Sequence, residues 1–116
     1  MLKKFFCAAI VSLIICVGVN VEAAEIFVGK SPATDWNCYL VTDSVRHKSE
    51  HRMLITYATL KMVDGYGETH YLNYTFFALD GSYVDVEFTN DQGYHGFADA
   101  KETPIEWAMY TVSRTY

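Results

Sequence analysis

The chain is poor in the features on which cross-linked and catalytic proteins depend. It has three cysteines, and two of them, Cys7 and Cys16, lie in an apolar N-terminal run, which leaves Cys38 alone in the rest. A disulfide within that remainder is therefore excluded. Basic residues are also few: nine Lys and Arg stand against 14 Asp and Glu, for a net charge of -5. Phosphate backbones are bound by clustered Lys and Arg, so no nucleic-acid partner is expected. The same acidity argues against electrostatic docking on anionic lipid. Gly-x-Ser-x-Gly, phosphate-binding loops, dinucleotide fingerprints and paired Cys-x-x-Cys are all missing, and no cofactor is expected. There is no long linker and no repeat of solenoid length. What is present is apolar and aromatic: 116 residues, 51% hydrophobic, 16% aromatic and 20% charged. That composition describes one folded domain and excludes global disorder.

The N-terminus has the layout of a secretory signal peptide. Lys3 and Lys4 precede an uncharged apolar run from Phe5 to Val19, and Val21-Glu22-Ala23 supplies an exit of the kind a signal peptidase reads. We place the cut after Ala23, with Ala24 as the alternative site. An uncleaved membrane anchor is the other reading, because the run approaches the length of a short membrane helix. Ile15 precedes Cys16 where a small residue would be expected, which argues against lipid attachment. The division is thus residues 1–23 as leader and 24–116 as a single small domain, secreted or periplasmic, with a bacterial style of leader. Loss of Lys3, Lys4 and Glu22 with the leader takes the net charge from -5 to -6. Cys38 lies in the apolar run Trp36 to Val41, so burial is favoured over an intermolecular cross-link.

Turn chemistry divides the domain. Asp64-Gly65-Tyr66, Asp80-Gly81-Ser82 and Asp91-Gln92-Gly93 interrupt segments rich in Val, Ile, Thr, Tyr and Phe. Strands are expected over 25–30, 36–46, 52–63, 69–79 and 82–89, with a short sixth over 94–98. Period-2 alternation places Leu72, Tyr74, Phe76 and Ala78 on one face of the fourth strand and Tyr71, Asn73 and Thr75 on the other. Val84, Val86 and Phe88 alternate with Tyr83, Asp85 and Glu87 in the fifth. Phe77 breaks the pattern, which implies a bulge or two covered faces. At the C-terminus Thr103-Pro104-Ile105-Glu106 has the form of a capping box, and Ile105, Ala108, Met109 and Val112 follow at helical spacing. The expected fold is α+β: a five- to six-stranded antiparallel meander with one C-terminal helix, about 104–114, packed on it.

One string matches a catalytic signature. His47-Lys48-Ser49-Glu50-His51 reads HxxEH, the inverted zinc-peptidase pattern, in which two His bind zinc and Glu acts as base. That chemistry needs a helix to bring both imidazoles to one side, whereas here the string falls between two strands and reads as a polar hairpin connection. A third ligand would also be required, with Glu102 or Glu106 the candidates. A small zinc-dependent hydrolase using His47, Glu50 and His51 is therefore carried as the alternative, and Ala at both histidines is expected to leave stability nearly unchanged. His70 and His95 read as solvated or hydrogen-bonded structural histidines, and Asp85 and Glu87 as a solvated strand face.

Tyrosine is the conspicuous excess, with nine in the chain, all after the leader. Tyr39, Tyr57, Tyr71 and Tyr83 fall on the less apolar strand faces or at turns, either as cross-strand aromatic pairs or as a binding face. Tyr39-Leu40-Val41-Thr42-Asp43-Ser44-Val45 followed by the Leu54–Lys61 strand resembles the opening of the surface-adhesin protein E family of small secreted bacterial proteins. The later hairpins and terminal helix are similar in order, although many members carry a cysteine pair that Cys38 lacks. The resemblance implies an antiparallel sheet with a terminal helix and binding of host extracellular-matrix proteins. The expected function is thus a non-catalytic extracytoplasmic binding or adhesion-type domain, with another surface or envelope protein as partner and membrane contact only through an uncleaved leader. A periplasmic inhibitor or accessory subunit is a further alternative.

Overall fold

The structure, a computed structural model, describes residues 24–116. The expected leader, cleavage site and anchor lie outside the described residues. Six strands form one sheet in meander order, every neighbouring pair antiparallel. They are β1 (Glu25–Lys30), β2 (Asn37–Glu50), β3 (Met53–Val63), β4 (Thr69–Leu79), β5 (Glu87–Asn90) and β6 (His95–Phe97), followed by α1 (Pro104–Ser113). The α+β architecture is the one the hydrophobic pattern predicts. Among the described residues no helix is long and apolar enough to cross a membrane.

The core lies between one face of the sheet and α1. Leu40 from β2, Leu60 from β3, Phe76 from β4 and Phe88 from β5 meet Ile105, Met109 and Tyr110 from the helix. Each fully buried side chain of this size contributes about 1.5–3 kcal/mol. Cys38 is completely buried and unpaired, as its apolar neighbours imply. Leu72, Tyr74, Phe76 and Ala78 face the helix side as the alternation requires, and β3 pairs with β4 without a register shift. Phe77 therefore marks neither a bulge nor a second buried face. It sits half-buried on the outer face, opposite Ile55 on one side and Glu87 on the other.

Two local departures reshape the sheet. The expected strand over 82–89 begins only at Glu87. The Ser82 hydroxyl accepts the Val84 N–H, Asp85 takes a left-handed φ of 56°, and the Ser82 carbonyl accepts the Tyr110 hydroxyl. These bonds divert the chain, so Val84 is 70% exposed while Val86 and Phe88 stay buried. In β2 the register slips between Val41 and Arg46. The Ser44 hydroxyl donates to the Val41 carbonyl and accepts the Thr59 N–H, filling the gap in the ladder. Even-numbered residues point to the helix side before the bulge, and odd-numbered ones after it.

Candidate functional site

The bulge decides the fate of the histidine string. β2 continues through Glu50 rather than ending at Arg46, so the expected five-residue connection is replaced by a two-residue turn at His51 and Arg52. Both take left-handed φ values, 52° and 68°, which give the twist a tight hairpin needs. His47 faces the helix side. Its Nε2–H donates to the Ser113 carbonyl at 3.2 Å, and its Nδ1 accepts the Thr56 hydroxyl at 2.9 Å. It thus satisfies a carbonyl in the last turn of α1 and a fully buried threonine. Glu50 lies in a different place, paired at 3.4 Å with Lys48, and His51 sits in the turn. The three residues do not converge, and no helix holds them.

A different triad does converge, and its spacing matches no motif. Ligand atoms of Asp64, Glu68 and His70 lie within 4.8 Å of one another at the β3–β4 hairpin. Asp64 organises the turn: Oδ1 accepts the N–H groups of Tyr66 and Glu68, and Oδ2 faces His70 Nε2 at 3.0 Å. The His70 hydrogen bond holds the Asp64 carboxyl below its usual range; burial opposes it, less strongly than His70 acts but more than either N–H group helps. Trp36 stacks on the His70 ring at 4.8 Å. The Asp64 contacts lie within the β3–β4 hairpin, and the Trp36 stack ties that hairpin to the segment before β2.

Three of the four singled-out tyrosines share one surface. On the face turned away from α1, register sets Phe27 opposite Tyr39, Tyr39 opposite Lys61, and Lys61 opposite Tyr71, one row across four strands. Phe27 meets Tyr39 edge-on at 5.5 Å, and Lys61 Nζ lies 6.0 Å from the Tyr39 ring while pairing with Glu25 at 2.9 Å. That pairing raises the Lys61 pKa. Phe27 is 54% and Tyr71 60% exposed, with Tyr57, 40% exposed, further along the same face. Tyr83 lies apart from them. It packs edge-on against Trp107 and Tyr110 beneath the Arg114 guanidinium, 4.9 Å from its ring, and so locks the 82–86 loop to the helix.

On the helix side α1 leaves part of the sheet open. A cleft of about 520 Å³ runs between residues 31–34, the inner face of β3–β5 and the first turn of α1. Leu60, Met62, Leu72 and Phe88 form its apolar wall. At its floor the Tyr74 hydroxyl donates to Glu106 Oε2 at 2.6 Å. Burial, reinforced by this carboxylate, pushes the phenol pKa well up. The capping box read from Thr103 and Glu106 does not form. The Thr103 hydroxyl instead donates to the Phe97 carbonyl and accepts the Asp99 N–H, both at 2.7 Å, which frees Glu106 to turn toward the sheet.

This arrangement, a six-stranded meander with one helix, an open inner cleft and an aromatic outer row, defines the chain as a small α+β domain. Comparison with protein-family models, curated proteins and solved structures gave no match.

Proposed function

We propose that the chain is a non-catalytic, extracytoplasmic binding domain that docks a protein partner on the outer face of its sheet. The observation that carries this reading is the row Phe27–Tyr39–Lys61–Tyr71, which stands in register and uncovered by α1. Tyrosine supplies large contact area at small entropic cost, and such side chains dominate the energetics of protein interfaces. Lys61 within the row and its partner Glu25 supply the polar contacts that fix orientation. The leader-like N-terminus supports a secreted or periplasmic location. The resemblance to surface-adhesin protein E supports a partner from the host extracellular matrix or the cell surface; an inhibitor or accessory subunit would use the same face.

The test is binding of the purified protein to a panel of immobilised matrix and envelope proteins. The double variant Phe27→Ser, Tyr71→Ser should lose binding by at least about tenfold while melting as the parent does, since both side chains are more than half exposed. Undiminished binding by this variant would remove the outer face from consideration.

A further inference from the structure

The inner cleft is independent of the outer row and has its own chemistry. Its volume of about 520 Å³ falls within the range of small-molecule sites, which pair an apolar lining with a few convergent polar groups. At its floor those groups are Tyr74 and Glu106, with Asn90 beside them, while His95 and Thr103 also line the cleft. The Asn90 side-chain oxygen is already committed, accepting the N–H groups of Gln92 and Tyr94. The buried phenol stays protonated and spends its hydrogen on Glu106 Oε2. Among the described residues Glu106 Oε1 has no hydrogen-bond partner, and no Lys, Arg or His forms an ion pair with this carboxylate. A carboxylate with one oxygen unengaged thus stands at the floor of an apolar trough.

We infer that the cleft binds a small organic amine, its ammonium on Glu106 Oε1 and its hydrocarbon body along Leu60, Met62 and Leu72. Charge and shape select this occupant together. A carboxylate ligand would meet Glu106 as a like charge, and a purely apolar one would leave it unanswered in a site from which water is displaced. A charge-assisted hydrogen bond gives both affinity and a fixed orientation.

Three probes that share a phenylethyl body and differ in the head group test the assignment: phenethylammonium, 2-phenylethanol and 3-phenylpropionate, titrated into the purified protein by calorimetry and followed by side-chain NMR. Phenethylammonium should bind one to one, shift the signals of Met62 and Leu72, and bind about tenfold or more tightly than the alcohol, with the acid weakest. Glu106→Gln keeps an acceptor for the Tyr74 hydroxyl and should reduce the amine to the level of the alcohol. Met62→Trp, which fills the trough, should weaken both. Equal affinities for the three probes, no binding of the amine, or amine binding indifferent to Glu106→Gln would overturn the inference. The ranking of probes on the unaltered protein decides the matter even if a variant folds poorly.

Discussion

His47 joins β2, the buried Thr56 and the last carbonyl of α1, so its loss should be felt although part of its ring is exposed. His47→Ala should cost about 1–2 kcal/mol in a denaturant melt, because it strips partners from two polar groups. His51→Ala should be nearly neutral, and His51→Asn should stabilise by a fraction of a kcal/mol, since asparagine tolerates the left-handed turn. The expectation of a silent substitution is thus kept for His51 and revised for His47, whose ring bonds to Thr56 and Ser113. Period-2 reading could not show this, because the bulge at 42–45 reverses which residues face inward and leaves only the Asp43-Ser44 pair as a hint. Asp64 carries a pH effect whose sign follows from its lowered pKa. Its contribution is fully present above the unfolded value near 3.8 and is lost as pH falls through the folded value below it. Acid titrations of the melting temperature should therefore show a shallower decline below about pH 4 in Asp64→Asn than in the parent. Identical acid limbs would mean that the His70 contact is not maintained in solution.

β3 and β4 could be read from alternation alone because both run unbroken, with one buried and one largely open face. The start of β5 could not. Val84 and Val86 alternate as a strand would, yet the Ser82 turn and left-handed Asp85 take the chain off the ladder. Tyr110 was hidden for a related reason: a tyrosine flanking the apolar stripe of α1 reads as peripheral, whereas its ring is fully buried and its hydroxyl anchors the Ser82 carbonyl. The tyrosines of the outer face were legible, but their assembly into one row depends on strand register, which no local pattern encodes. Glu106 was singled out as a capping-box residue and as a candidate third zinc ligand, whereas the folded chain forms no capping box and sets it at the floor of the cleft against Tyr74. The helix supplies Ile105, Met109 and Tyr110 to the core that covers the sheet. A chain ending before Thr103 loses Ile105, Met109 and Tyr110 from the core and uncovers Leu40, Leu60 and Phe76. It should aggregate or unfold, as read by size-exclusion chromatography and circular dichroism. A soluble truncation with a cooperative melt would show that α1 is peripheral.

The two faces of the sheet divide the molecule's work. The inner face closes the core under α1 and keeps a cleft open, while among the described residues the outer face has no covering element and carries its aromatics in a line. Open sheet faces of this kind tolerate polar residues throughout, and the exposed row of large rings is the observation on which the proposed partner site rests. Tyr57 extends that row toward the β2–β3 turn, and the Glu25–Lys61 pair ties β1 to β3 across the same face. Helix-side aromatics provide the internal comparison: Tyr83 is 48% and Tyr116 57% exposed, close to the exposure of the outer rings. Hydroxyl-radical footprinting of the protein, free and bound to whichever matrix or envelope protein it captures, separates the two surfaces directly. Phe27, Tyr57 and Tyr71 should be protected in the complex, with Tyr83 and Tyr116 oxidised as in the free protein. Protection confined to Tyr83 and Tyr116, with the outer row still reactive, would contradict the account.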